Sequence, residues 1–167
     1  MTKEEARLKA EENFKSGYNC AQAVVKVFAD EAGIDSDTLV RLAQGFGGGM
    51  SRQREVCGAV SGMVMIASLL CGSSDPADKS AKDNCYDKIQ ALCQKFREQN
   101  GSIICRELLG LVPMGQSEAS LKNKTPVEHK VESSVSSERT AEYYKKRPCA
   151  LLCADAGELL ADFLSKK

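Results

Sequence analysis

Apolar residues recur along this chain at helical spacing, with no convincing alternation anywhere. Residues 3–15 set Ala6, Leu8, Ala10 and Phe14 among charged neighbours, the pattern of a polar helix with one inward or half-inward face. Ser16-Gly17-Tyr18-Asn19 breaks it, and Asn19 is a good N-cap for a second helix from Cys20 to about Ala32, with Val24, Val27 and Phe28 on one face. Gly33 ends that helix, and Ser36 caps a short one carrying Leu39, Val40 and Leu42. A glycine-rich stretch, Gly45 to Met50, then leads to Cys57-Gly58-Ala59-Val60-Ser61-Gly62 and an apolar run that closes near Gly72.

Ser74-Asp75-Pro76 predicts the next helix start, with proline where its missing N–H costs least. The helix runs to about Gln99 and places Cys85, Ile89, Leu92, Cys93 and Phe96 on one face. Ser102 caps a segment from Ile103 to Leu109, closed by Gly110 and Pro113. Residues 114–138 are rich in Ser, Glu and Lys and predict a surface excursion. A short helix within Arg139–Lys146 and a last one over Pro148–Leu164 follow. The expectation is an all-α fold, a compact multi-helix bundle forming a single domain over residues 1–167.

Composition narrows the function classes. Net charge is zero, and no basic stripe with interleaved aromatics appears, which argues against a nucleic-acid protein. The chain has no Trp and only 5% aromatics, so its core must rest on Leu, Val, Ile, Ala, Met and Cys. The first residues are charged rather than apolar, and the run from Val56 to Cys71 is too short for a membrane span. These features predict a soluble cytoplasmic protein.

Eight cysteines change the picture most: Cys20, Cys57, Cys71, Cys85, Cys93, Cys105, Cys149 and Cys153. In a reducing compartment such a number favours metal binding or redox work over structural disulfides. There is no C-x-x-C, and no C-x-x-C-H for haem attachment. The lone His129 sits in a polar stretch and reads as a solvated loop residue, so a metal site here would be mostly sulfur-ligated. Cys20, Cys57, Cys105 and Cys149 each fall in the first turn of a predicted helix. There unpaired N–H groups and the helix dipole favour thiolate and can hold an anionic group. Cys71, Cys85, Cys93 and Cys153 lie mid-helix or late and read as core-filling thiols.

Cys57 is expected to be the most thiolate-like, since the preceding glycines leave N–H groups open and Arg52 and Arg54 add positive charge. Burial acts in the opposite direction, and a plain buried cysteine on a tightly packed helix is the alternative. Gly47, Gly48, Gly49 and Gly58 are candidates to let backbone approach a bound group closely. Arg52 and Arg54 either meet an anionic ligand beside that loop or belong to a solvated loop. No nucleotide loop of the G-x-x-x-x-G-K-[ST] type is present.

Five pieces carry a likeness: Gly17-Tyr18-Asn19-Cys20-Ala21-Gln22-Ala23-Val24, Gly45 to Met50, Cys57 to Gly62, Cys105 to Gly110, and Cys149 to Leu152. Together they span nearly the whole chain. The chain resembles the redox-active bacterial proteins named for separated cysteines around a C-G-A-x-x-G motif. The resemblance implies that Cys20, Cys57, Cys105 and Cys149 are the family's cysteines; the other four fall outside its pattern. Similar sequence also occurs beside haem-binding segments in split-Soret-type cytochromes, but without the attachment motif haem does not carry over.

Three functions compete. The leading one is a redox-active protein whose four cysteines bind an iron–sulfur cluster or another thiolate-bound metal. Zinc ranks lower because it adds no redox chemistry. The second is a metal-free thiol–disulfide redox protein, in which one cysteine attacks and another resolves. The third is a structural helical interaction module. A redox partner protein and a homo-oligomer are the expected partners.

Overall fold

The computed structural model describes residues 1–126 and 132–166. His129 lies outside them. The described residues are helical apart from turns, connections and one isolated antiparallel bridge between Val56 and Ile104. The all-α expectation therefore holds. Among the described residues, no helix is long and apolar enough to cross a membrane.

Side-chain capping explains five of the helix starts, those of the helices that open at Lys3, Cys20, Ser36, Lys79 and Ala141. Helix α1 (Lys3–Lys15) opens with a reciprocal pair: the Glu5 N–H donates to Thr2 Oγ1 at 3.1 Å, and the Thr2 N–H donates to Glu5 Oε2 at 2.8 Å. Helix α2 (Cys20–Val27) opens on Asn19, whose Oδ1 accepts from the N–H groups of Ala21 and Gln22, each at 3.0 Å. Phe28 leaves helical geometry, so the single helix expected to Ala32 is divided into α2 and a last turn, α3 (Ala29–Ala32). Helix α4 (Ser36–Ala43) is capped by Asp35 rather than by Ser36.

A turn over Gln44–Phe46 and another, α5 (Gly47–Met50), lead to α6 (Gly58–Cys71), for which Cys57 is the N-cap residue. Helix α7 (Lys79–Asn100) starts three residues after Pro76, because Asp78 rather than Ser74 or Asp75 receives the first-turn N–H, that of Ala81. The segment expected from Ile103 contracts to the single turn α8 (Cys105–Leu108). Helices α9 (Gln116–Asn123), α10 (Ala141–Lys146) and α11 (Cys149–Leu164) complete the chain.

Small residues set the most extensive helix contact, between α1 and α11. A Cβ on Gly157 would sit 2.7 Å from the Ala6 carbonyl oxygen and 3.1 Å from Ala10 Cβ, so only glycine lets the two helices lie this close. Around this seam Phe14, Phe28, Leu39, Met63, Ile66, Phe96 and Leu160 are fully buried. Burying one such side chain contributes about 1.5–3 kcal/mol. Arg7 of α1 pairs with Asp155 and Glu158 of α11, and Asp162 of α11 gathers Lys3, Lys95 and Lys166. Leu8 and Leu42, expected on apolar faces, are 48% and 59% exposed, because the charged sides of their helices face solvent. On α7 the expected apolar face is seen: Cys85, Leu92 and Phe96 are buried, with Ile89 and Cys93 half-buried.

The expected surface excursion has two parts. Helix α9 is solvent-facing, with Leu121 81% exposed. The stretch from Glu132 to Ser137 instead turns back over the loop that precedes Cys57.

Candidate functional site

Four helix starts meet at one cavity of about 650 Å³. Cys20 is the first residue of α2, Cys105 of α8 and Cys149 of α11, and Cys57 is the cap of α6. All four line the cavity. Three devices position them. The Asn19 side chain, while capping α2, also donates to the Gln44 carbonyl at 2.9 Å, which sets Cys20 against the glycine turn. Cys57 and Cys105 are tied by a short backbone ladder: the Cys57 N–H donates to Ile103 O at 2.8 Å, and the Cys105 N–H to Glu55 O at 2.6 Å. Cys149 enters at the junction of Pro148 and the long helix α11.

The glycines act mainly as close-contact residues. Gly47, Gly48 and Gly58 line the cavity, whereas Gly49 lies behind it. A Cβ on Gly58 would stand 3.1 Å from Cys20 Cβ, and one on Gly49 would stand 2.6 Å from Cys105 Cβ. Gly48 and Gly49 have positive φ, and so do Met50, Ser51, Arg52 and Arg54. Such a run of left-handed backbone in non-glycine residues is strained, and strain of this kind collects at functional sites.

The thiols are not in the state expected of them. Burial pushes the Cys57 thiol up to about 12, and the nearby Cys105 adds to this. The N–H groups of Val60 and Ala59 pull the other way but form no cap hydrogen bond to the sulfur and are outweighed. Helix-start activation of Cys57 is therefore corrected: only 3% of this residue is exposed, and desolvation of a thiolate there exceeds the pull of the helix start. Cys105 is raised by burial too, against the opposing charge and hydrogen bond of Arg54. In Cys20 the hydrogen bond with Cys149 favours the thiolate, but that with Cys153 and burial carry it well above the usual thiol range. Cys149 is raised by its hydrogen bond with Cys20 and then by burial.

Cys153, read from the sequence as a core-filling thiol, is fully buried and also belongs to this group. Its sulfur approaches the Cys20 carbonyl oxygen at 3.7 Å, and its thiol hydrogen-bonds with that of Cys20. The signal was its place one turn after Cys149 on α11. Cys85 and Cys93 remain on α7, away from the cavity. No disulfide joins any of the eight cysteines. Among the described residues, no three His, Cys, Asp or Glu side chains stand together as a metal-binding group.

Arginines form the rest of the wall. Arg54 is buried at 3% exposure, so the solvated-loop reading fails for it. It pairs with Glu132, as does Arg52, whose Nη2 lies 2.7 Å from Glu132 Oε2. Arg52 Nε also donates to Ser133 O at 2.6 Å, which docks the 132–137 stretch onto the loop. Arg41, Arg139 and Arg147 line the cavity as well. None of the last three was singled out from sequence, since Arg41 lies on α4 and Arg139 and Arg147 flank α10, with no local pattern linking them.

A helical chain with four separated cysteines at helix starts around one cavity defines a class of cysteine-rich helical proteins. The chain belongs to the family described as putative redox-active protein (C_GCAxxG_C_C), which matches residues 18–163. At the central motif the chain reads Cys57-Gly58-Ala59, with the cysteine ahead of the glycine. No curated protein and no solved structure matches the chain.

Proposed function

We propose that Cys20, Cys57, Cys105 and Cys149 hold an iron–sulfur cluster or another thiolate-bound metal, and that the protein uses it in electron transfer. The supporting observation is that these four thiols, contributed by four separate helix starts, line one cavity with arginines in its wall. The donor type suits the group, since sulfur ligands with no histidine favour iron–sulfur chemistry, with zinc second; among the described residues the thiols do not stand together as a metal-binding group, so on this reading they draw together on loading. In its metal-free state the cavity keeps its thiols protonated, so loading must release protons. Arg54, hydrogen-bonded to Cys105, offsets negative charge as thiolates form there. Gly47, Gly48 and Gly58 leave room for backbone to approach the bound group. When bound, such a cluster supplies one-electron exchange, and the chain's residues hold it, balance its charge and limit water. On this reading the chain acts as one cytoplasmic domain that meets a redox partner protein.

The test is anaerobic purification with iron, zinc and acid-labile sulfide measured on the same sample. Near-stoichiometric iron and sulfide are expected, lost in Cys20→Ser and Cys57→Ser and kept in Cys93→Ser. Metal-free protein with equal thiol behaviour in all three variants would sink the reading. The second reading, a metal-free dithiol, rests on the hydrogen-bonded contact of Cys20 with Cys149 and Cys153. Peptide mapping after mild oxidation checks it: a bridge joining Cys20 to Cys149 or Cys153 is its expected product.

A further inference from the structure

The charge around the cavity is out of keeping with the chain. The protein is neutral overall, yet five of its eight arginines, Arg41, Arg52, Arg54, Arg139 and Arg147, line this one cavity. Among the described residues the lining includes no lysine and no carboxylate. Arginine rather than lysine is the residue suited to paired oxygen acceptors, because its planar fork presents donors two at a time.

These guanidiniums are not equally committed. Glu132 engages Arg52 and Arg54, and Arg54 also serves Cys105. Arg139 donates through Nη2 to the Tyr18 carbonyl at 3.2 Å, but its Nη1 is buried without a hydrogen-bond partner. Its guanidinium lies over the rings of Phe14, at 4.4 Å, and Tyr143, at 5.0 Å. Arg147 lies over the same Tyr143 at 5.2 Å and, among the described residues, forms no hydrogen bond or ion pair. Stacking on an aromatic face holds a guanidinium in place and leaves its edge donors available. The Arg139 Nη1 is closed off from solvent, so Arg147, half-exposed and stacked on Tyr143, is the guanidinium that presents open donors to an incoming acceptor.

Phe14, Tyr143, Leu108, Leu109 and Leu152 supply an apolar wall to the same cavity. Its volume of about 650 Å³ falls in the range of small-molecule sites. We propose that the cavity binds a small organic oxyanion, its oxygens on Arg147 with the Arg139 charge nearby and its apolar body against Phe14, Tyr143 and Leu152, beside the Cys149 thiol. This rests on the preceding reading only in taking the cavity as the functional site, and it requires no metal there.

Calorimetry on anaerobic, as-isolated protein tests it, with metal content measured on the same sample. The probes are benzoate, phenyl phosphate, inorganic phosphate and the neutral benzyl alcohol. Binding of benzoate or phenyl phosphate is expected, with benzyl alcohol far weaker. Comparing the two anions separates a carboxylate ligand from a phosphoryl one. Arg147→Gln should weaken the bound anion on the order of tenfold or more. Glu132→Gln, which releases Arg52 and Arg54, should leave it as tight or tighter. The bound anion should also slow iodoacetamide alkylation of Cys149 and leave Cys93 unchanged. Failure of both organic anions to bind overturns the proposal whatever the iron content, as does equal affinity in Arg147→Gln. Inorganic phosphate binding as tightly as phenyl phosphate overturns its organic part. Should Arg147→Gln not fold, the wild-type salt dependence decides: affinity that does not fall between low and high salt overturns the ionic contact.

Discussion

At the α1–α11 seam, a Cβ on Gly157 would meet the Ala6 carbonyl oxygen at 2.7 Å; behind the cavity wall, one on Gly49 would meet Cys105 Cβ at 2.6 Å. The same device, a missing side chain, draws two elements together in both places. At the seam the neighbours are Ala6 and Ala10, which close over the gap, and the charged groups pair at its edge through Arg7 and Asp162. At the cavity the neighbours are thiols and guanidiniums, which do not close over it. Glycine decides how near two backbones come. The chemistry of the flanking side chains decides whether that nearness yields core or site.

The largest effect that separates the two regions is Gly157→Val. Overpacking against helix backbone costs typically about 1–3 kcal/mol, and this contact belongs at the upper end, a fall in Tm of roughly 6–12 °C for a chain of this size. The chemistry of the cavity should survive in the molecules that remain folded. Equal loss of metal or thiol behaviour and of stability would show that seam and cavity are not separate.

Each region should also have its own pH edge in metal-free, reduced protein. At the cavity, Cys20, Cys57, Cys105, Cys149 and Cys153 all titrate above the usual thiol range in the folded state. Above about pH 8.5 the unfolded chain then binds fewer protons than the folded one, so stability falls as pH rises. Denaturant midpoints measured from neutral to alkaline pH check this, and Cys57→Ser should flatten the fall. At the seam the sign reverses. Hydrogen bonds from Lys166, then Lys3, hold the Asp162 carboxyl well below the usual carboxylate range, with Lys95 assisting. Its contribution is present above the unfolded value and is lost as pH falls below about 4. Asp162→Asn should remove that part of the acid slope and leave the alkaline edge untouched.

The smallest effect expected is that of Lys3→Ala. It removes one of three partners from Asp162 at a site where the lysine is 55% exposed, so its cost should stay within about 1 kcal/mol. A larger loss would mean that the ion cluster, rather than the Gly157 contact, holds the seam.

Much of the helix order was legible because its signals are local. Asn19, Gly33 and Gly101 act within a turn of their own positions, and so the four cysteines at helix starts could be grouped without a structure. The misplaced boundaries have local causes as well: Asp78 outcompetes Ser74 and Asp75 as the cap of α7, and Phe28 interrupts the second helix. Cys153 was read as core because its place one turn after Cys149 shows a shared helix face but not what that face meets. The pairing of Arg52 and Arg54 with Glu132 joins residues about 80 positions apart, beyond any periodicity in the chain.

By itself, the sequence determined the all-helical character, the cysteines at helix starts and membership of a redox-active family, because capping, period and motif are properties of neighbouring residues. Tertiary structure alone decided that these helix starts face one another, that five arginines share their cavity, and that Cys57 stays protonated. The physical reason is desolvation. A helix start exerts its pull over a single turn, whereas the cost of charge depends on every element packed around it, and that packing is set by contacts between residues far apart in the chain.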